Sequence, residues 1–147
     1  MSAGFGLTFH HFGLAVEAAQ PAESFLSGLG YTIAPAVYDR YQNVNLRWAE
    51  HVSMPAVEII TPATGPGPLD EILKRGDAMI YHICFATDNL ARALEALRAG
   101  ERRVVCVVPP KPAPLFSDRP VGFYLVKGFG LIEIIEGAGT PAPVRHS

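Results

Sequence analysis

The chain has little cysteine and no paired spacing of it. Cys84 and Cys106 lie in separate apolar, strand-like runs without a CxxC arrangement. Both read as buried reduced thiols rather than as a disulfide. No apolar run approaches the roughly 20 residues that a membrane-spanning helix needs. The first residues, MSAGFGLTFHH, contain neither a basic stretch nor a long apolar core. No signal peptide is therefore expected, and a cytoplasmic location is. An excess of charge is also missing: the formal net charge is −2 and the pI about 6.2. That leaves no electrostatic case for nucleic acid or for an anionic membrane surface as a partner. Charged residues make up only 18% of the chain against 49% hydrophobic ones, the balance of a well-buried globular protein. With 147 residues, one domain, or two small halves sharing a core, fits.

What the chain does have is a repeat. His11 sits in HHFGLAV and Glu58 in AVEIITP; the same order recurs with His82 in YHICFAT and Glu133 in LIEIIE. The two histidines are 71 positions apart and the two glutamates 75, and His precedes Glu by 47 and then by 51. Repetition of this kind predicts two copies of one structural unit.

The local patterns agree. TFHHFGLAV reads as a strand ending near Val16, and AQPAESFLSGLG as a helix. In that helix Pro21 sits in the first turn, Phe25, Leu26 and Leu29 form the apolar stripe, and Gly30 lies just past the end. Strands are expected over Tyr31–Tyr38, Asn43–Glu50 and Pro55–Thr61. PATGPGP reads as a linker, and LDEILKRG as a short helix. The order then repeats: strand Met79–Thr87, helix Asn89–Arg98 with Leu90, Leu94 and Leu97 on one face, and strands Arg102–Val108, Val121–Val126 and Leu131–Glu136. The predicted fold class is α+β, a βαβββ module over residues 8–62 and a second over 79–136. A linker with a short helix (63–78) joins them, and a Gly- and Pro-rich flexible tail (137–147) follows.

Alternation places His11 with Gly13 and Ala15 on one side of the first strand, and His82 with Cys84 and Ala86 on one side of the fifth. Glu58 opposes Val57 and Ile59, and Glu133 opposes Ile132 and Ile134. Each ligand candidate faces away from a large apolar face that suits packing on a helix. A lone carboxylate in an apolar strand is costly without a partner, and one divalent ion held by His11, Glu58, His82 and Glu133 accounts for both. By the same alternation His10, Tyr81 and Glu136 point away and are not ligands; His51 falls in a hairpin turn and His146 in the tail. Cobalt, nickel, zinc and manganese all suit two imidazoles and two carboxylates.

These four motifs, spread over residues 8–136, resemble the vicinal oxygen chelate superfamily (glyoxalase, bleomycin resistance protein, dioxygenase). Within it the chain is most similar to methylmalonyl-CoA epimerase-like members. The resemblance implies two modules forming an incomplete barrel around a divalent metal, with His11, Glu58, His82 and Glu133 on the ligand positions. It also implies a metal-stabilised enolate formed from a carbonyl or acyl-thioester substrate. The family's epimerases carry a glutamate base on the third strand of the first module. Counting back from Glu58, the matching position is Asn45, and an amide is no general base. Arg47 is then expected beside Asn45, either binding a substrate carboxylate or phosphate or exposed on the strand. Tyr124 is implied, with Glu133, as an acid or base facing the cavity, or else as a packed core tyrosine.

The proline-rich segment VVPPKPAPLFSDRPVGF reads as a long stiff loop. It offers Lys111, Phe116 and Arg119 as substrate contacts at the cavity mouth, or serves as a connector or dimer contact. The expectation is a metal-dependent isomerase or lyase, homodimeric, acting on a small molecule, and not a standard methylmalonyl-CoA epimerase. A ring-cleaving dioxygenase, which needs only two histidines and one carboxylate, and a metal-free binding or resistance protein are the alternatives.

Overall fold

A computed structural model describes residues 4–137. The strands are β1 (Thr8–Val16), β2 (Thr32–Ile33), β3 (Val37–Asp39), β4 (Val44–Glu50), β5 (Val57–Pro62), β6 (Ala78–Thr87), β7 (Val104–Ala113), β8 (Arg119–Val126) and β9 (Gly130–Glu136). The helices are α1 (Ala19–Gly28), α2 (Asp70–Leu73) and α3 (Leu90–Arg98). The class is α+β, and the strands form one nine-stranded curved open sheet in the order β2-β4-β5-β1-β6-β9-β8-β7, with β3 also paired to β4. The predicted tail beyond Gly137 lies outside the described residues.

The sequence repeat reappears as a repeat of strand pairing. β1 runs parallel to β5, and β5 antiparallel to β4. In the second half β6 runs parallel to β9, and β9 antiparallel to β8. Antiparallel pairing of β1 with β6 joins the halves into one sheet. Side chains on the two faces then separate into three cores. Val16, Tyr31, Ala49 and Ile59 pack with Leu26 of α1. Tyr124, Ile132 and Ile134 pack with Leu97 of α3. The inner face collects Ala15, Val44, Leu46, Trp48, Cys84, Phe116, Phe123 and Ile135.

Local chemistry explains the helix ends. Asn89 caps α3, its side-chain oxygen accepting from the Arg92 N–H at 3.0 Å; the side-chain oxygen satisfies a donor that has no partner within the helix. Past α1, Gly30 adopts a left-handed φ of 101°. The Tyr31 N–H donates to the Leu26 carbonyl and the Gly30 N–H to that of Ser27, closing the helix with the bond pair that such a glycine permits.

Four local expectations are corrected. The strand over Tyr31–Tyr38 is broken into β2 and β3, because Pro35 has no N–H to give to β4. In α1 only Leu26 of the predicted stripe is buried; Phe25 and Leu29 are exposed. The proline-rich segment is not a loop. β7 continues to Ala113, a 3-10 turn spans Pro114–Phe116, and β8 begins at Arg119. β7 terminates the sheet order, and a strand at the edge of a sheet tolerates prolines that a central strand does not. On that edge Cys106 is exposed, while Cys84 is fully buried.

Candidate metal centre

His11 and His82 come from β1 and β6, Glu58 and Glu133 from the strands parallel to them. The sheet brings the four together: their ligand atoms all lie within 4.8 Å of one another, and all four side chains are buried. Glu133 Oε1 stands 3.3 Å from both His11 Nε2 and His82 Nε2, and Glu58 Oε1 stands 3.8 and 3.9 Å from them. These are distances around a common point rather than hydrogen bonds. His11 Nε2, His82 Nε2 and Glu133 Oε1 are buried and make no hydrogen bond. Unpartnered buried polar atoms are rare and costly. An ion about 2.1 Å from each ligand sets neighbouring ligand atoms roughly 3.0–3.4 Å apart, so the two shortest separations fit a shared divalent ion. The residues present fit the group.

Without an ion the histidines and glutamates compensate one another electrostatically. Burial opposes a charge on His11, but the Glu58 charge and the close approach of Glu133 outweigh it and push the imidazole up to about 9. Burial would raise the Glu133 carboxyl, yet the charge of His82 and the proximity of both rings hold it far below the ordinary carboxylate range. Cys84 lies opposite both His11 and Glu133 in the strand pairing. Its thiol is pushed well up, by burial first and then by the charge of Glu133, so it stays protonated.

Each half supplies the same surroundings. Trp48 on β4 pairs with Glu58, and Phe123 on β8 pairs with Glu133. The Trp48 ring lies 5.1 Å from that of His11, and the Phe123 ring 5.3 Å from that of His82. Phe116, at the tip of the β7–β8 hairpin, closes the site: it is 2% exposed and stacks on the His11 ring at 5.6 Å. Of the other hairpin candidates, Lys111 is exposed, and Arg119 is half-buried, its buried Nη1 without a hydrogen-bond partner among the described residues.

Three side chains expected at the site lie elsewhere. In the β4–β5 register Glu58 faces Trp48, so the inner face of β4 carries Val44, Leu46 and Trp48. Asn45 and Arg47 alternate to the opposite face, where Arg47 Nε makes a 2.8 Å ion pair with Glu23 of α1. Tyr124 packs with Leu97 of α3, not with the ligands. Burial raises its phenol. Counting back from Glu58 could not find the parity of β4, because that parity depends on the register of the hairpin between the strands.

Two residues read as pointing away are at the site after all. The β1–β6 pairing passes from Phe9 opposite Phe85 to His11 opposite Cys84, leaving His10 as an extra residue. It then passes from Gly13 opposite His82 to Leu14 opposite Ile80, leaving Tyr81 as an extra residue. Each is a β-bulge, which re-aims a side chain that strict alternation would send outward. The His10 ring packs on those of Trp48 and Phe116, and the Tyr81 ring on that of Phe123. Glu136 and His51, also read as non-ligands, have partners away from the four side chains. Glu136 turns to α3, its Oε2 accepting from the Leu90 N–H. His51 lies in the exposed turn after β4, its Nδ1 accepting from Ser53 and Met54 N–H. His146 lies outside the described residues.

A family model for the glyoxalase/bleomycin resistance protein/dioxygenase superfamily matches residues 10–123. The chain belongs to that superfamily. Among solved structures it is similar to methylmalonyl-CoA epimerase from Mycobacterium tuberculosis. The identity is 18% over 95% of this chain and 94% of that one, with a TM-score of 0.75. A hypothetical protein from Bacillus halodurans is 17% identical over 90% and 96%, with a TM-score of 0.72. A Streptomyces coelicolor methylmalonyl-CoA epimerase variant in complex with 2-nitronate-propionyl-CoA is 18% identical over 93% and 99%, with a TM-score of 0.68. At these identities the likeness is one of fold. No curated protein sequence matches the chain. Among the described residues no helix is long and apolar enough to cross a membrane.

Proposed function

We propose that this superfamily member is a divalent-metal-dependent enzyme of the isomerase or lyase kind, acting on a carbonyl or acyl-thioester substrate, with His11, Glu58, His82 and Glu133 as the ligands. The observation that carries the reading is the convergence of four buried side chains, one from each of four strands, on one point, with three polar atoms there making no hydrogen bond among the described residues. Metal-free relatives have no use for such a set, and a ring-cleaving dioxygenase would need only three of the four. Cobalt, nickel, zinc or manganese each suits the donors. A bound ion supplies Lewis-acid stabilisation for negative charge developing on a substrate oxygen.

The chain's own residues set the rest. Trp48, Phe116 and Phe123 keep water from the ligands. Glu133, held ionised, suits a ligand better than a base, since a weakly basic carboxylate draws a proton poorly. The Tyr81 phenol is raised by burial and by the charge of Glu133, so it stays protonated and able to donate to a substrate oxygen. The inner face of β4 offers Val44, Leu46 and Trp48, and the carboxylate that follows them on that face, Glu50, accepts from the Trp48 Nε1–H at 2.9 Å. That engagement of Glu50 by Trp48 supports a reaction other than the standard epimerisation of methylmalonyl-CoA.

Elemental analysis of purified protein tests the metal reading, with about one divalent ion per chain expected. No metal would favour a binding protein, and iron with oxygen consumption a dioxygenase.

A further inference from the structure

His10 is the residue next to the proposed ligands whose place the alternation of β1 does not explain. The bulge between Phe9 and His11 turns it inward, and its Nδ1 lies 2.7 Å from His11 Nδ1. Two ring nitrogens that close share one hydrogen: one donates and the other accepts. His11 Nε2 is the atom that faces Glu58, Glu133 and His82. A neutral imidazole that gives Nε2 to a metal carries its hydrogen on Nδ1. His10 Nδ1 is then the acceptor.

The second half of the molecule lacks this arrangement. Tyr81 fills the equivalent bulge before His82, but His82 Nδ1 is buried and meets no hydrogen-bond partner among the described residues. His82 is held by shape instead, its ring lying across Gly13. The two imidazole arms are therefore unequal.

We infer that His10 is a positioning residue, which fixes the tautomer and orientation of His11 by accepting its Nδ1 hydrogen and so holds Nε2 on the metal. The inference rests on the metal-centre reading above. An outer partner of a ligating histidine sets ring direction and basicity, and its loss costs about 10–100-fold in metal affinity.

Cobalt(II) binding to the full chain and to two variants tests it. His10→Phe keeps a ring against Trp48 and Phe116 but removes the acceptor. His10→Asn places an amide oxygen one bond beyond Cγ, where histidine has Nδ1. The expected result is a cobalt affinity about 10–100-fold weaker in His10→Phe and largely restored in His10→Asn. In the proton NMR spectrum of the cobalt protein in water, the shifted, exchangeable ring N–H signal of His11 should vanish or exchange faster in His10→Phe and return in His10→Asn. Circular dichroism of the metal-free variants checks that they fold.

If the natural protein takes up no cobalt, the metal centre falls and this inference with it. If it does, and His10→Phe binds as tightly with the signal unchanged, only the positioning role is overturned. Weaker binding in His10→Phe that His10→Asn does not repair also overturns it, because His10 would then act by packing alone.

Discussion

Gly13 lies directly opposite His82 where β1 meets β6, and a methyl group on Gly13 would come within 2.3 Å of the His82 ring. No such contact exists in a packed protein. The ring occupies the space that the glycine leaves, and this fixes Nε2 toward the other three ligands. Gly13→Ala should therefore push the His82 ring aside while leaving β1 paired. We expect cobalt affinity to fall by at least about tenfold, the lower end of what loss of ligand orientation costs, with a strand signal unchanged by circular dichroism. Unaltered cobalt binding would show that His82 does not need this position.

Removing a ligand should do more. Glu133→Ala deletes the carboxylate that approaches both rings most closely. Loss of stoichiometric metal is expected, read by elemental analysis after dialysis. The natural stoichiometry and activity in the variant would exclude Glu133 from the ligand set.

The pH dependence has opposite signs with and without metal. In the metal-free protein His11 titrates near 9, above its ordinary 6.5. The stability it contributes is fully present below about 6.5 and is lost as pH rises through 9. Glu133 titrates below its ordinary 4.5, so its contribution is present above 4.5 and lost in acid. The metal-free protein should therefore melt at a lower temperature at pH 9.5 than at pH 6. Metal competes with the His11 proton, so binding should tighten between pH 6.5 and 9. Calorimetry in buffers of different ionisation enthalpy should show about one proton released per ion at pH 7.5. Release of none would mean that His11 is already neutral in the free protein.

Much of this was legible because a duplicated pattern leaves traces at both copies. His11 and His82 announced themselves by matched position, and Glu58 and Glu133 by being carboxylates in apolar strands. Alternation alone placed Gly13 and Cys84 correctly. It failed at His10 and Tyr81, since a bulge depends on how β1 pairs with β6 and leaves no mark in either strand's own pattern. At Asn45 and Arg47 alternation holds, but which face of β4 turns inward depends on the register of the β4–β5 hairpin. Polar side chains were expected beside a metal, whereas the wall there is Val44, Leu46 and Trp48, and Arg47 is matched to Glu23 across α1. Phe116 looked like the tip of a loop because prolines hid the strand that carries it.

The geometry of β4 also changes what a designed base should do. Asn45→Glu would place its carboxylate on the face that carries Arg47, not toward the ligands. Neither the natural protein nor Asn45→Glu is expected to exchange the α-proton of methylmalonyl-CoA for solvent deuterium, whereas Leu46→Glu projects from the inner face and is the variant in which exchange is expected to appear. Rapid exchange by the natural protein would show that a base is already present, with Glu50 at the end of β4 the first candidate.

Phe116 gives the last prediction. Its ring stacks on His11 and contacts Trp48 edge-on, and Leu115 beside it is also buried. Every proposed ligand is 3% exposed or less, so lifting of this hairpin tip is the expected route by which a substrate or chelator reaches the centre. Two successive non-glycine residues after the turn, Ser117 and Asp118, have left-handed φ values of 56° and 61°. The Asp118 N–H donates to the Ala113 carbonyl at 2.9 Å, so the tip is tightly turned and its side chains are what tie it down. Phe116→Ala should cost about 3–5 kcal/mol of stability, the usual cost of emptying a buried phenylalanine site. It should also speed removal of cobalt by a chelator about tenfold or more, the factor given by lowering the opening barrier by about 1.4 kcal/mol. The two effects separate by substitution. Phe116→Leu should restore most of the stability but little of the aromatic stacking on His11, and an intermediate release rate is expected. A release rate unchanged in Phe116→Ala would mean that the ligands are reached by another route and that the tip is part of the static wall.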